Sequence, residues 1–271
     1  MHASRNELLA LLKQVYEACG FPYGLDESAA EMTLWAQMHG LNVFAGLAAC
    51  LSRLQQTSPG DQRFDSVDEQ LIEVDANGES MLALGSSIGA LMLANTLNSG
   101  RCVARLQNCR DRIFVARILH GAGQRNLSCL AAWWPEPAPG TVQLLRTSGD
   151  HGLVESSTFR GFGDDVTPPG SVPHESAQSL LLVYASDSEQ LKNTAAELSL
   201  PAELLDESAW SNSFERIEHI DLEQMQSSYA EMLEGGVPVA DSLWEIMLRL
   251  SAKVLVESTE ISKKGAGPAG N

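Results

Sequence analysis

The feature that most constrains the fold is a change of apolar pattern along the chain, which is helical at both ends and strand-like in the middle. At the start, apolar residues recur at helical intervals between Leu8 and Cys19. Ser4 and Glu7 precede this run at the spacing of a capping box, and Gly20 follows it. The sequence therefore predicts a first helix between Ser4 and Gly20.

Two more helices are predicted in the stretch that follows. One runs from an N-cap at Asp26 to His39, with Gly40 as its C-terminal stop. The other begins near Asn42 and ends before the Ser-Pro-Gly sequence at 58–60. His39 is thus expected at a helix end, where the dipole favours a partly positive imidazole that can bond the last carbonyls. A catalytic role for His39 is the alternative.

The middle of the chain has the pattern of a sheet with short helices. Leu71 to Val74 and Met81 to Leu84 flank Asn77-Gly78, which predicts a β-hairpin. The other elements predicted here are a helix after Ser86-Ser87 through Leu97, a strand from Cys102 to Leu106, a helix from Asp111 to His120, and strands at Asn126 to Trp134, Thr141 to Thr147 and Ser179 to Ala185.

Helical patterns return at the end of the chain. Asp221 is predicted to cap a helix that Gly235 breaks, and Asp241 starts another, followed by a Gly-rich tail that is expected to be flexible. The whole sequence predicts an α+β fold, in which helical N- and C-terminal segments pack around a mixed central sheet. The segments are 1–60, 61–220 and 221–271, joined in one compact unit.

The charge balance limits the partners of this chain. Eighteen basic residues against 35 acidic ones give a net charge of −17, and no lysine occurs between Lys13 and Lys192. Such a field repels a nucleic acid or an anionic membrane, so neither is expected as a partner. The N-terminus lacks the pattern of a signal peptide. We therefore expect an acidic cytoplasmic protein of bacterial type.

Cysteines and histidines do not form the patterns of a disulfide framework or a metal site. The five cysteines are an odd number without a CxxC pair, and several lie on apolar faces, which predicts free, buried thiols. The six histidines are scattered singly, whereas a metal site needs at least two ligands at short spacing. No metal is predicted.

Nucleotide-binding motifs are also missing. No P-loop occurs, and Gly161-Phe162-Gly163 lacks the third glycine and the helix start of a dinucleotide-binding fingerprint. No cofactor is predicted on these grounds.

Three further residues are candidates for catalysis. Ser148 and His151 lie in a Ser-Gly-Asp-His-Gly sequence, which provides a nucleophile and a base but is also typical of a hairpin turn. His174 follows the Gly/Pro-rich stretch at 160–173, where it could serve acid-base chemistry in a lid or belong to a solvated loop.

The sequence AEMTLWAQMHGLNVFAGL, which begins at Ala30, resembles the N-terminal helical segment of the type-2 malate/L-lactate dehydrogenases. These are NAD(P)-dependent enzymes with a fold unlike Rossmann dehydrogenases, and their segment leads through a glycine to Asp-Ser-His-Gly. In an ungapped alignment Gly40 matches the glycine, while Phe44 stands where the family has its proposed acid-base histidine. The resemblance allows NAD(P) binding, but it implies that hydride transfer is lost, since phenylalanine cannot carry a proton.

A second resemblance is to an uncharacterised bacterial family of about this length. It rests on NELLALLKQVYEACGFPYGL near the start and LWEIMLRLSAKVLVESTEISKKGAGPAG at the end, and it implies no reaction. The resulting hypothesis is a small-metabolite-binding protein with a diverged dehydrogenase-like scaffold, whose site lies between the N-terminal helices and the sheet. The alternative is a non-catalytic partner subunit or homo-oligomer, associated through apolar faces near Trp244 and Met247.

Overall fold

The computed structural model describes residues 1–56, 63–134, 141–147, 154–161, 179–200 and 214–254. The helices in these ranges are α1 (Arg5–Ala18), α2 (Leu25–Met38), α3 (Phe44–Leu54), α4 (Met81–Ser99), α5 (Val115–Gly123), α6 (Ser188–Glu197), α7 (Leu222–Gly235) and α8 (Asp241–Ser251). The strands are β1 (His2–Ala3), β2 (Arg63–Val67), β3 (Leu71–Asp75), β4 (Arg101–Gln107), β5 (Ser128–Trp133), β6 (Thr141–Thr147), β7 (Val154–Gly161), β8 (Leu180–Ala185), β9 (Phe214–Ile220) and β10 (Val237–Pro238).

Eight of these strands form one mixed sheet in the order β2-β3-β4-β8-β5-β6-β7-β9. β3 and β4 are parallel, and the other neighbouring strands are antiparallel. The short strands β1 and β10 pair separately, which ties the first residues of the chain to the connection between α7 and α8. A mixed sheet between helical ends confirms the predicted α+β class.

The centre of the sheet is covered on both faces. Every residue of β5 and of β8 is buried, which explains why these strands read as continuous apolar runs. The larger core lies between one face and the helices α1 to α5 and α8, while the smaller core lies on the opposite face against α6. Trp133 packs in the larger core and its neighbour Trp134 against the smaller one, as alternation along a strand requires.

α4 is the central helix of the larger core. Its 19 residues are long and apolar enough to cross a membrane by length and composition alone, but half of that stretch is buried, and α4 packs against α2, α5 and β4. Gly85 and Gly89 lie one turn apart on the side of α4 that meets α5. A Cβ at these positions would come within 2.5 Å and 2.3 Å of side-chain atoms of Ile118. We call this pair the glycine notch, and it allows α4 and α5 to approach closely.

Several predicted elements are wrong or were missed. Met81 to Leu84 is not the second strand of a hairpin but the first turn of α4, capped by the Ser80 side chain, which accepts a hydrogen bond from the Leu82 amide. Asp26 is not an N-cap: Gly24 occupies that position, and the Asp26 side chain accepts from the Gly24 amide. β2, β7, β9 and α6 were not predicted.

The helix predicted from Asp111 to His120 is in fact a 3₁₀ turn, Arg112–Phe114, followed by α5, which continues past Gly121. The loop predicted at 160–173 lies outside the described residues from 162 onward, and its first two residues belong to β7. The C-terminal tail lies outside the described residues as well.

All five cysteines are free and buried, as predicted. Burial raises the pKa of the Cys19 and Cys102 thiols to about 11 and that of Cys109 to about 12, and it raises the pKa values of Cys50 and Cys129 as well. Because the thiolate is the nucleophile, these side chains behave as small core residues and not as reactive groups.

We expect Gly89→Ala to destabilise the protein by about 1–3 kcal/mol, because its Cβ would overlap the Cγ2 methyl of Ile118, a branched side chain that cannot swing aside. The measurement is the free energy of unfolding in urea. Gly46→Ala is the matched control: a Cβ at Gly46 of α3 meets no heavy atom within 4 Å in the described structure. The control should gain up to about 1 kcal/mol from helix propensity. Equal effects of the two substitutions would contradict the close α4–α5 contact.

Candidate functional site

Of the four candidate residues predicted from the sequence, the structure describes His39. Ser148, His151 and His174 lie outside the described residues, so their roles remain predictions. His39 is the C-cap of α2, with Gly40 following it in a left-handed conformation at φ 82°. A Cβ at Gly40 would lie 3.3 Å from the Ser228 hydroxyl, so the turn after His39 packs closely on α7. The predicted position of His39 at a helix end is confirmed.

His39 lines a cleft of about 340 Å³ between α1, α2, α5 and α7. The residues that surround the cleft are Arg5, Leu9, Glu31, Leu34, Trp35, Met38, His39, Arg117, His120 and Tyr229. Four helices from both ends and the middle of the sequence thus supply its walls. This cleft lies among helices, whereas the sequence led us to expect a site between the N-terminal helices and the sheet.

Four aromatic side chains pack together along this cleft. The rings of Trp35 and His39 are stacked with centroids 4.0 Å apart, and one turn of α2 separates the two residues. Tyr229 of α7 lies 4.9 Å from the His39 ring, and His120 of α5 lies 5.1 Å from the Trp35 ring. The two imidazole rings are 6.2 Å apart. This packing holds the His39 ring in one orientation between α5 and α7.

The protonation state of His39 follows from its surroundings. Its Nδ1 lies 2.7 Å from the carbonyl oxygen of Trp35, and because a carbonyl can only accept, Nδ1 carries the hydrogen. Burial lowers the pKa of His39 to about 4, with further lowering by His120 and Arg117, against the opposing effect of the bond to Trp35. Near neutral pH the ring is therefore uncharged with Nε2 as an acceptor, which corrects the expectation of a partly positive imidazole.

The cleft is more cationic than the rest of the protein. Arg5 and Arg117 line it together with one carboxylate, Glu31. The Arg117 guanidinium lies 3.8 Å from Glu31, with both side chains partly exposed, and such loose pairs contribute little. Arg117 therefore keeps most of its capacity to bind an external anion. With neutral histidines the lining carries a formal charge of about +1, in a chain whose net charge is −17.

Phe44, which the sequence resemblance aligns with the proposed acid-base histidine of the type-2 dehydrogenases, is buried at the start of α3. Its amide donates to the side-chain oxygen of Gln37 at 2.9 Å, so Gln37 of α2 satisfies one of the open amides at the start of α3, which has no side-chain cap of its own. Phe44 therefore has a structural role. The cleft itself contains two imidazoles, those of His39 and His120.

The sequence also did not predict a contact of another histidine, His219. The Ser157 hydroxyl lies 2.9 Å from Nδ1 of His219, between β7 and β9, and neither residue lines the cleft. Among the residues that the structure describes, no group of three or more histidine, cysteine or acidic side chains is placed to hold a metal ion.

The spacing of residues along the sequence could have indicated which side chains of the cleft share a helix face. Trp35 and His39 are four residues apart, and Arg117 and His120 are three apart, so each pair shares a helix face. What no local pattern shows is that these two faces meet, or that Tyr229 of a third helix closes the cluster.

Residues 3–81 match the model of a family described as a protein of unknown function (DUF3726). The match covers α1 to α3 and ends at the first residue of α4, so it includes His39 but not Arg117, His120 or Tyr229. No curated protein matches the chain.

The fold is that of several dehydrogenases and a reductase. Malate dehydrogenase from Pyrococcus horikoshii OT3 has a TM-score of 0.65 at 12% identity, covering 95% of this chain and 96% of that one. Sulfolactate dehydrogenase from Methanocaldococcus jannaschii has a TM-score of 0.62 at 11% identity, covering 94% and 97%. Delta1-piperideine-2-carboxylate reductase from Pseudomonas syringae pvar. tomato has a TM-score of 0.57 at 12% identity, covering 92% and 99%. At these identities the similarity shows a shared, dehydrogenase-like fold.

We expect acid to destabilise the protein through His39. Its folded pKa of about 4 lies below the ordinary value of 6.5. Between these values the unfolded chain therefore binds a proton that the folded protein does not, and stability is lost as the pH falls below 6.5. Allowing for partial exposure, the loss between pH 7 and pH 5 is about 1 kcal/mol. The measurement is the free energy of unfolding in urea at both pH values. In His39→Gln the loss of stability between pH 7 and pH 5 should be smaller by about 1 kcal/mol than in the native protein. An NMR titration midpoint of His39 near 6.5 would contradict the prediction.

Proposed function

We propose that this protein binds a small organic anion in the cleft beside His39, and that it does so without NAD-dependent hydride transfer. The observation that carries the proposal is a cationic, ring-lined cleft in a strongly acidic protein. Binding clefts of small metabolites combine apolar walls with a few fixed polar groups, as this one does.

The charge of the lining favours an anion. Two guanidinium groups and one partly exposed carboxylate line the cleft, and guanidinium groups are donors suited to a carboxylate or a phosphate. The negative field of the remaining surface would oppose such a ligand until it reaches the cleft, so these arginines are needed for binding.

The neutral imidazole of His39 gives the cleft a hydrogen-bond acceptor beside the arginine donors. Nε2 of His39 can accept a hydrogen bond from the ligand, while Nδ1 is already used by the Trp35 carbonyl. An acceptor of fixed direction beside two cations is suited to bind a ligand in one orientation.

The proteins that share the fold give independent support for a carboxylate. Their names refer to malate, sulfolactate and piperideine-2-carboxylate, each of which carries a carboxylate on a small molecule. The proposed absence of hydride transfer rests on Phe44, which the sequence resemblance aligns with the proposed acid-base histidine of those dehydrogenases.

The alternative function, a non-catalytic partner subunit, has less support. Met247 is fully buried in the core of its own chain, and Trp244 packs against the same core. These two residues, which suggested an association surface, are thus engaged within the chain. Homo-oligomerisation stays a prediction that light scattering can test.

We expect small carboxylates such as succinate to raise the melting temperature, and Arg117→Ala to weaken their binding about tenfold, because a charge-assisted hydrogen bond is lost. A ligand at 100 times its dissociation constant adds about 2.7 kcal/mol of stability. The measurement is a thermal-shift titration with each acid at matched ionic strength.

Arg125→Ala is the matched control for this experiment. Arg125 is exposed, follows α5 and bonds the Gly121 carbonyl, outside the cleft lining. Its loss changes the net charge by the same amount and should leave binding unchanged. Equal weakening by both substitutions would attribute binding to overall charge and contradict the proposed site.

We expect the purified protein to show no oxidation of NADH or NADPH above background with 2-oxo acids, followed at the absorbance of the reduced nicotinamide. The physical reason is that Phe44 cannot supply the proton that accompanies hydride transfer to a carbonyl. Robust turnover that disappears in His39→Gln would show that His39 supplies this proton, and it would overturn this half of the proposal.

A further inference from the structure

We infer that the ligand of this cleft is a planar aromatic acid that also carries an O–H or N–H donor. This inference rests on the proposed function, since it specifies the chemical class of the anion. Three features of the cleft carry it: the aromatic cluster, the arginines and the acceptor nitrogen of His39.

The aromatic cluster favours a flat, unsaturated ligand. Four of the ten lining residues, Trp35, His39, His120 and Tyr229, are rings in contact with one another at centroid distances of 4.0 to 5.1 Å. Stacked or edge-to-face arrangements at these distances are more favourable than the burial of equal apolar area. A ligand ring that joins the cluster would gain this contribution, and a saturated ring of similar size would not.

The polar groups define which substituents the ring must carry. Arg5 and Arg117 present donors alone, which requires an anionic acceptor such as a carboxylate. The hydrogen bond to Trp35 fixes the tautomer of His39 and leaves Nε2 as an acceptor, which requires a donor on the ligand. A carboxylate alone satisfies the arginines and leaves the His39 nitrogen without a partner from the ligand.

The size of the cleft suits a single ring with substituents. About 340 Å³ lies at the lower end of the range of small-molecule sites. The walls are set by four helices, three of which contribute a ring, so an approaching planar ligand meets aromatic surface from α2, α5 and α7.

The test is a calorimetric titration of the protein with a matched series of acids. Cyclohexanecarboxylate and benzoate differ in planarity, and 3-fluorobenzoate and 3- or 4-hydroxybenzoate differ in the donor. We expect benzoate to bind about fivefold more tightly than cyclohexanecarboxylate, and the better hydroxybenzoate about fivefold more tightly than 3-fluorobenzoate. In His39→Phe, which keeps a ring between Trp35 and Tyr229, the advantage of the hydroxyl should disappear.

The outcomes separate this inference from the proposed function. If cyclohexanecarboxylate or succinate binds as tightly as the aromatic acids, or if the hydroxyl brings no gain in the native protein, the inference is overturned while anion binding stands. A hydroxyl advantage that persists in folded His39→Phe also overturns it. If none of these acids binds, the proposed function fails together with the inference. Should His39→Phe not fold, the comparison of 3-fluorobenzoate with the hydroxybenzoates in the native protein decides the question of the donor.

Discussion

The contact of Ile118 with the glycine notch fixes the position of α5, and the cleft depends on that position. Gly85 and Gly89 of α4 leave room for the Ile118 side chain where a Cβ would overlap it. The same helix, α5, presents Arg117 and His120 to α2, where they reach Glu31 and the Trp35 ring. A core contact between apolar groups thus determines the spacing of the polar side chains in the cleft, through a helix that belongs to both.

The sequence predicted two kinds of element: helices that bury one face, and strands that are buried along a continuous apolar run. Helices α1, α7 and α8 carry apolar stripes, and α1 and α7 have side-chain N-caps at Ser4 and Asp221. β6 is predicted at its exact bounds because turn residues flank a short apolar run. The error at Met81 has a physical origin. Asn77 and Gly78 do adopt positive φ angles, as a hairpin turn would require, but here they connect β3 to a helix. α4 is buried around much of its circumference, so its apolar residues show no helical stripe that would distinguish it from a strand.

The elements that were missed are polar ones. β7 carries Ser156 and Thr158, whose side chains bond Gln143 on β6, and β9 at the sheet edge has no buried residue among those whose side chains are described. Strands of this kind are stabilised by pairing with their neighbours, and their sequences show no apolar pattern that would predict them.

The candidate site was predictable only in part. His39 was identifiable as a lone histidine at a helix end, and Trp35 by its spacing, but the contacts with His120 and Tyr229 arise from the packing of distant segments.

The hydrogen bond from His39 to the Trp35 carbonyl links the end of α2 to the chemistry of the cleft. One nitrogen of the ring completes the last turn of the helix, and this leaves the other nitrogen to face whatever enters. Fraying of that turn would release the imidazole to exchange its proton between the two nitrogens, and the acceptor would then no longer have a fixed direction. The integrity of this helical turn therefore determines which nitrogen of His39 can accept a hydrogen bond in the cleft.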